Sequence, residues 1–478
     1  MFSIESILLI GSILLLLSIG LSKMSDKLGI PALLLFLGLG MAAGSEGIGG
    51  IYFDNAHVAQ AMGIVALTFI LFSGGLDSRW RDIKPALGQG ILLSTVGVIV
   101  TAGLMAIASV FFLDFTWLEG LLLGAIISST DAAAVFSILR SKNLALKGNL
   151  RPTLELESGS NDPMAYFLTI AMISLITLPE KSPLLLVPIF IKHAVFGMAL
   201  GWLMGKAMAW ILNNIRLTYF GLYPVLMLAL VLLTYAITEM VGGNAFLAVY
   251  ISGLVLSNTF AAHKRNISKF YDGISWLMQI AMFVTLGLLV FPSDLMPVFI
   301  PGMALSLILM FVARPIAVFV SLAFVQVSLR EKIFLSWTGL RGAVPIVFAT
   351  FPLLAGLPNA PMIFHIVFFI VFTSVLFQGS SFAWFARLLK LEKEPDTTNA
   401  AQLETWAEDT SELLRKIKIT EASFAAGKYI KELGLSQNVL IVSIKRGADT
   451  LVPNGQIQLE PNDILLVMGP KNEVLALG

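Results

Sequence analysis

Residues 157–163 read ESGSNDP and open a long apolar run that continues through residues 164–178. If a membrane span begins near Thr153, Asp162 lies nine residues into it, about 14 Å at 1.5 Å per residue and close to the middle of the bilayer. A charged residue at that depth costs roughly 2.5–3.5 kcal/mol on insertion scales. Because such residues usually belong to an ion path or a proton relay, this stretch predicts a functional site inside the membrane.

A second acid, Asp131, lies in residues 128–134, SSTDAAA, within another apolar segment. That segment runs in the opposite direction, so Asp131 is about 20 Å deep from the other membrane surface, and we expect it to meet Asp162 at mid-depth. The same region holds further oxygen donors, on Thr130, Ser158, Ser160 and Asn161. A ligand set made only of oxygen suits hard cations such as Na⁺ or K⁺. A structural ion pair is the alternative for either acid alone, whereas the two acids together favour an ion site.

The composition places both segments in a polytopic membrane protein. The chain is 57% hydrophobic and 13% charged, and its mean hydropathy is +0.87. A net charge of +1 argues against a nucleic-acid partner, and the absence of cysteine excludes thiol catalysis and thiolate metal sites. We predict 13 membrane-spanning segments, at residues 4–22, 30–45, 58–77, 85–113, 117–138, 153–178, 184–212, 220–242, 245–262, 271–291, 295–327, 333–355 and 362–388.

Basic residues predict the orientation of these segments. Eighteen lysines and arginines follow odd-numbered segments, whereas Lys181 alone follows an even-numbered one. By the positive-inside rule the N-terminus lies outside and the C-terminus in the cytoplasm.

Two arginines also lie within apolar segments. Arg341 occurs in residues 337–345, WTGLRGAVP, whose glycines and proline predict an interrupted twelfth segment that forms an inverted repeat with the fifth. Pro163 predicts a similar opening in the sixth segment. Our hypothesis is that Glu157 pairs with Arg341 and holds the broken helices in register. Arg314 is expected to pack against carbonyl groups or against Glu157 itself.

The composition changes at the end of the apolar region. We divide the chain into a transmembrane domain at 1–390, a linker at 391–410 and a small α/β module at 411–478. Within the module, residues 416–419, 439–444, 450–452 and 464–468 are predicted strands, and residues 424–433 have helical spacing. We expect a further helix from Lys471, and expect the natural chain to continue past Gly478.

The motifs SSTD at 128–131, ESGSNDP at 157–163 and GLRGA at 339–343 together resemble the NhaP-type monovalent cation:proton antiporters, over residues 1–390. The resemblance implies an all-α membrane fold with 13 spans, inverted repeats and two broken crossing helices. It also implies a cation site made of Asp131, Asp162, Ser158 and the carbonyl of Thr130, a Glu157–Arg341 pair, and a homodimer.

The module resembles the TrkA-C half of potassium-regulating RCK domains, through SFAAGK at 423–428, residues 439–446, PNG at 453–455 and PNDILLV at 461–467. This combination resembles the CvrA group of bacterial potassium/proton antiporters, which is linked to cell volume regulation and lies in the inner membrane. The resemblance therefore implies K⁺/H⁺ exchange, no enzymatic activity, no cofactor, and a regulatory ligand of the module that the residues do not identify.

The residues suggest a mechanism of competition, in which either H⁺ or a cation reduces the charge of Asp162. Asn161 is neutral beside it, which favours one H⁺ per cation and an electroneutral cycle. A Na⁺(Li⁺)/H⁺ antiporter is the alternative, because these ligands accept both ions. An RCK-regulated cation channel is an alternative of another class, and a membrane enzyme a third, although the sequence offers no nucleophile–base pair at a matching depth.

Overall fold

The structure is a computed structural model. It describes residues 3–28, 31–131, 135–136, 139, 142, 144–178, 180, 182–259, 264–393, 414–420, 423–436, 439–446 and 449–468. The chain divides into two compact units, Met1–Lys393 and Glu394–Gly478.

The first unit is mainly helical in its described residues. Its helices are α1 (Ile4–Leu28), α2 (Ala32–Ala43), α3 (Ala56–Asp77), α4 (Trp80–Leu113), α5 (Trp117–Ile126), α6 (Leu150–Thr177), α7 (Leu186–Asn214), α8 (Leu222–Met240), α9 (Ala245–Ser257), α10 (Lys264–Leu288), α11 (Phe299–Ser321), α12 (Leu329–Trp337), α13 (Ala343–Leu354) and α14 (Ala360–Leu388). A π-helical turn interrupts the α-helical pattern of α4, α11 and α14, at Leu93–Gly97, Leu309–Ala313 and Val375–Gly379.

Seven of the described helices are long and apolar enough to cross a membrane: α1, α3, α4, α7, α8, α11 and α14. Helices α2, α5, α9 and α13 are apolar but shorter. Each of the 13 predicted segments overlaps helix in the described residues.

Two of the predicted segments are interrupted. Helix α5 ends at Ile126 and the backbone at Thr130 and Asp131 is not helical. Helix α12 ends at Trp337, and α13 begins only at Ala343.

The predicted opening of the sixth segment is wrong, because α6 is one α-helix that passes through Pro163. Proline has no N–H, so its place in the helix leaves the carbonyl of residue i−4 without that donor, but it does not force the backbone out of helical geometry. A neighbouring helix also holds this point, since Asn244 donates from Nδ2 to the carbonyl of Pro163 at 2.8 Å.

Small residues let the helices approach closely. A Cβ added at Gly201 or Gly205 would lie 2.6 and 2.8 Å from carbonyl oxygens of α9, so α7 and α9 pack with their backbones in contact. Helix α9 in turn packs on α3, which lies against α10 and α13. These contacts surround the middle of α6 with protein and leave α1 mostly exposed.

The chain leaves α14 through a short backbone pairing. Lys390 has a φ of 57°, which turns the chain after the helix. Leu146 and Glu392 then face each other in an antiparallel bridge, in which Lys147 N–H donates to Leu391 at 2.9 Å and Lys393 N–H to Ala145 at 2.8 Å. We call this pairing of residues 145–147 with 391–393 the tether clamp. It joins the exit of α14 to the connection that precedes α6.

The second unit contains an antiparallel sheet in the order β1-β4-β2-β3, made of β1 (Leu414–Lys418), β2 (Leu440–Arg446), β3 (Asp449–Leu451) and β4 (Ile464–Met468). The four predicted strands overlap these elements. The helix predicted at 424–433 is wrong, since the segment forms turns and one 3₁₀ turn at Ile430–Glu432. Its Gly427 and Gly434 have φ of 75° and 59°, and these left-handed positions stop a regular helix. The helix expected from Lys471 lies outside the described residues.

Arg446 and Asp463 hold two parts of this sheet unit together. The guanidinium donates to both oxygens of Asp463, at 2.9 and 2.8 Å, and Asp463 is 1% exposed. Burial acts to raise the pKa of Asp463, but the hydrogen bonds from Arg446 and the Glu460 backbone outweigh it and leave that pKa below its ordinary value. The same contact raises the pKa of Arg446.

Candidate cation and proton site

The two interrupted segments are hydrogen-bonded to each other. Asp131 N–H donates to the carbonyl of Leu340 at 2.8 Å, although the two residues belong to segments far apart in the sequence. Interrupted backbone leaves N–H and C=O groups without helical partners, and here the interruptions satisfy one another. A Cβ added at Gly342 would overlap the carboxylate of Asp131, so only glycine permits this approach.

Asp162 lies on α6 with its carboxylate against the first interruption. It is 5% exposed, and it accepts a hydrogen bond from the hydroxyl of Ser129. The carbonyl of Ser129 accepts in turn from Nη1 of Arg341 at 2.8 Å. The sequence-based prediction did not include Ser129, because nothing in the run SSTD tells which of its hydroxyls faces α6.

The other predicted ligands connect the same two elements. Ser158 donates to the carbonyl of Thr130 at 2.9 Å, and Asn161 donates from Nδ2 to the Thr130 hydroxyl at 2.6 Å. Ser158 and Asn161 are therefore held on the face of α6 that meets the first interruption. The oxygen atoms of Thr130, Ser158 and Asp162 belong to one cluster of side chains and backbone.

A cavity of about 140 Å³ reaches this cluster, and its lining on α6 extends from Glu155 to Asp162. Its described lining includes five acids and no lysine or arginine; the acids are Asp77, Asp131, Glu155, Asp162 and Asp272. An acidic cleft with low-dielectric walls concentrates cations and repels anions. Glu155 lines the cavity and accepts a hydrogen bond from Ser78.

Glu157 faces away from the cavity and is paired with Arg314, not with Arg341 as expected. The Glu157–Arg314 distance is 2.5 Å, and the side chains are 1% and 3% exposed. Five residues separate Glu157 from Asp162, which turns it to another side of α6, toward α11. Arg314 also donates to the Leu335 carbonyl at 3.2 Å, so both contacts suggested for it occur together.

Arg341 acts on backbone atoms. Its own N–H donates to Ser374 at 3.1 Å, and its guanidinium binds the Ser129 carbonyl. Arg341 thus contacts the first interruption through a carbonyl, and the described residues show no ion pair between Arg341 and Glu157. Among the described atoms, its Nε and Nη2 are buried without a hydrogen-bond partner, and they leave a positive charge beside the interruption.

Buried Asp162 on α6 and Asp131 at the first interruption both line an acidic cavity, and this arrangement is typical of a membrane transporter of small cations. The profile of the family described as "Sodium/hydrogen exchanger, transmembrane" matches residues 12–388, and that of the TrkA-C domain matches residues 414–478. The chain therefore belongs to the family of transmembrane sodium/hydrogen exchangers.

Related proteins agree with this assignment. A K⁺/H⁺ antiporter NhaP2 from Shewanella baltica is 41% identical over 99% of this chain and 83% of its own length. A K⁺/H⁺ antiporter NhaP from Alkalimonas amylolytica is 43% identical over 82% of this chain and 69% of its own. The solved structure of the sodium proton antiporter MjNhaP1 from Methanocaldococcus jannaschii superimposes with a TM-score of 0.71 and 25% identity, and covers 81% of this chain and 99% of that one.

Proposed function

We propose that this protein exchanges K⁺ for H⁺ across a bacterial inner membrane, and that the two ions compete for Asp162. The observation that carries the proposal is the place of Asp162, in the lining of an acidic cavity and beside oxygen atoms of both α6 and the fifth segment. The choice of K⁺ is supported by the relatives that are named K⁺/H⁺ antiporters.

The competition follows from the cost of moving charge. An ionised, empty Asp162 is costly to carry through a low-dielectric barrier, whereas a bound proton or cation reduces that cost. In the cation-loaded form, the ligands are Asp162, Asp131, Ser158 and the Thr130 carbonyl. The Ser158 hydroxyl, which donates to that carbonyl, turns so that both oxygens face the ion. In the proton-loaded form, Ser158 and Thr130 keep the hydrogen bond to each other.

One exchanging carboxylate favours one proton per cation. Asn161, the neighbour of Asp162, donates a hydrogen bond to the Thr130 hydroxyl. It orients Thr130 and adds no charge to the site. The proposed cycle is therefore electroneutral.

For the architecture, we propose 13 crossings, with the N-terminus outside and the C-terminus in the cytoplasm. The interrupted fifth and twelfth segments are the two broken crossing helices of an inverted repeat. Segments 5, 6, 12 and 13 form a core that moves against the rest, and two chains form a homodimer.

For regulation, we assign residues 1–390 to transport, 391–410 to a linker and 411–478 to a cytoplasmic domain that responds to an unidentified small ligand and serves control of cell volume. The tether clamp is the proposed route. It joins the chain that leads to the domain directly to the backbone before α6, the helix that carries Asp162.

The test is proton flux driven by K⁺ in proteoliposomes. Asp162→Asn is expected to abolish it, and Asp82→Asn, which changes an exposed acid outside the cavity, to leave it unchanged. Persistent K⁺-driven flux in Asp162→Asn would overturn the mechanism. Strong dependence of the flux on membrane voltage would overturn one-to-one exchange.

Na⁺ or Li⁺ exchange is the second candidate. It is favoured by the structural similarity to a protein named a sodium proton antiporter. Flux measured with K⁺, Na⁺, Li⁺ and Rb⁺ in turn separates the two, because a preference for Na⁺ or Li⁺ over K⁺ contradicts the K⁺ assignment.

A further inference from the structure

Tyr166 lies where the cavity stops. Along α6 the cavity is lined by Glu155, Ser158, Gly159 and Asp162. Tyr166 follows Asp162 by four residues, about 6 Å further along the same face of the helix. Its side chain is 7% exposed and is not part of the cavity lining. Tyr166 is therefore the first large group between Asp162 and the opposite side of the protein.

Aromatic rings close this side around Tyr166. Its ring meets Phe246 edge to face at 5.2 Å between ring centroids, and lies 5.8 Å from Phe348 and 5.7 Å from Phe351. Phe246 and Phe348 are 1% and 0% exposed. These rings come from α6, α9 and α13, and together they form an apolar plug that a hydrated cation cannot cross.

A hydrogen bond connects the apolar plug to the end of α8. The Tyr166 hydroxyl donates to Oε1 of Glu239 at 3.2 Å, and Glu239 is an exposed residue in the last turn of α8. One turn closer to Asp162, the bond from Asn244 to Pro163 ties α6 to the start of α9. Helix α6 is thus held to α8 and α9 by polar bonds on the side that the cavity does not reach.

We propose that Tyr166 and Glu239 form the gate of the site on the side opposite to the cavity, and that their hydrogen bond must break before Asp162 can open to that side. The proposal rests on the movement of the core proposed above, which would expose Asp162 to each side of the membrane in turn (alternating access). A bond made in only one of two conformations favours that conformation, so its loss shifts the population toward the other. At 3.2 Å the bond is long for an O–H···O contact, so it can break at low cost when the site opens.

The test uses the absence of native cysteine. Thr169→Cys places a thiol at a buried position three residues beyond Tyr166, and Ser73→Cys places one in the cavity wall. Each is labelled with a membrane-impermeant methanethiosulfonate applied to the membrane face on its own side. Tyr166→Phe removes the hydroxyl and keeps the ring. Tyr235→Phe is the matched control, because Tyr235 packs on Phe246 at 5.4 Å and its loss of a hydroxyl leaves the Tyr166–Glu239 bond in place.

In Tyr166→Phe we expect labelling of Thr169→Cys to rise roughly three- to tenfold and labelling of Ser73→Cys to fall, as one population replaces the other. Glu239→Ala, at an exposed helix end, should reproduce both changes, and Tyr235→Phe neither. Unchanged labelling in Tyr166→Phe and Glu239→Ala overturns the proposal. A rise at both thiols overturns it too, since that result means loosened packing rather than a gate. Labelling needs no transport, so a failed gate is distinct from a failed exchange at Asp162, which the Asp162→Asn flux reports.

Discussion

The hydroxyl of Ser129 donates a hydrogen bond to the carboxylate of Asp162. The same residue accepts, on its carbonyl, the bond from buried Arg341. Ser129 therefore connects the carboxylate of Asp162 with the buried guanidinium of Arg341. It is a positioning residue with a polar contact on each side.

Ser129→Ala is expected to weaken the competition of K⁺ against H⁺. The hydroxyl stabilises the ionised carboxylate, so its loss favours the protonated form. At a fixed pH, the K⁺ concentration for half-maximal exchange should rise roughly ten- to a hundredfold, on the scale of one hydrogen bond to a charged group. Ser128→Ala is the control, because Ser128 donates at 2.6 Å to Ala125 in its own segment. Equal K⁺ dependence in the two variants would contradict a role for Ser129.

Gly342→Ala is expected to stop exchange without unfolding the protein. The added methyl group would overlap the Asp131 carboxylate and force the two interruptions apart. We expect at least a tenfold loss of K⁺-driven proton flux, on the scale of a misplaced reacting group. Gly103→Ala, where the added Cβ meets open space, should retain wild-type flux. Retained flux in Gly342→Ala would show that Asp131 need not lie against Gly342.

Arg314→Ala is expected to destabilise the transmembrane unit. It leaves Glu157 buried without its partner, and breaking one half of a buried pair typically costs about 3–5 kcal/mol. Arg387→Ala is the control, because Arg387 pairs with Glu392 at 3.3 Å with both side chains largely exposed, and such pairs contribute about 0–1 kcal/mol. Thermal unfolding in detergent measures both. Similar unfolding temperatures for the two variants would contradict the buried pair.

The tether clamp predicts an efficient disulfide between Leu146→Cys and Glu392→Cys. The bonds of residues 147 and 393 flank this pair, so it is a non-hydrogen-bonded pair with Cα atoms about 4.5 Å apart, within the range for disulfides. Leu144→Cys with Glu392→Cys is the control. Residue 144 is displaced from residue 146 by about 6.5 Å along the strand, which places its Cα too far from that of residue 392 for a disulfide. Mobility on a non-reducing gel after cleavage at an inserted protease site between the cysteines reports the bond.

If regulation passes through the clamp, cutting the chain at a second protease site placed at 397–398 should change the exchange rate only while the disulfide is reduced. If cutting the chain changes the exchange rate equally while the disulfide is formed, regulation does not pass through the tether clamp.

The sheet unit is expected to lose stability in acid. The pKa of Asp463 is lower in the folded state than in the unfolded state, so its contribution is complete above the unfolded pKa of about 3.9 and disappears as the pH falls through the lower, folded value. The hydrogen-exchange protection factors of β2 and β4, measured between pH 5 and pH 2.5, should therefore fall below about pH 4. In Asp463→Asn this acid-dependent step should be smaller, and an identical step would show that other groups cause it.

Local features of the sequence were sufficient for the positions of the helices. Apolar length alone predicted segments that overlap every membrane helix described, because burial in lipid requires continuous apolar residues. The run TGLRG at 338–342 predicted the break between α12 and α13, since glycines there leave the helix without stable turns. Pro163 also predicted a break, but α6 is continuous there. Packing of α6 against α5 and α9 keeps the helix whole.

The partners of the buried charges were beyond the reach of the sequence. The sequence offered Arg314 and Arg341 as partners of Glu157. The direction in which the Glu157 side chain leaves α6 brings it to Arg314. Tyr166 and Glu239 are 73 residues apart and form no motif, yet they meet at the end of α8.

The sequence by itself predicted two carboxylates at mid-depth of a membrane with oxygen atoms around them, because the cost of buried charge makes such residues rare and conspicuous. Only the tertiary structure decided which hydroxyl reaches Asp162, which arginine neutralises Glu157 and on which side the site is closed. The physical reason is that hydrogen bonds and ion pairs act over about 3 Å and depend on direction. Helix packing sets those distances and directions, and spacing along the chain does not.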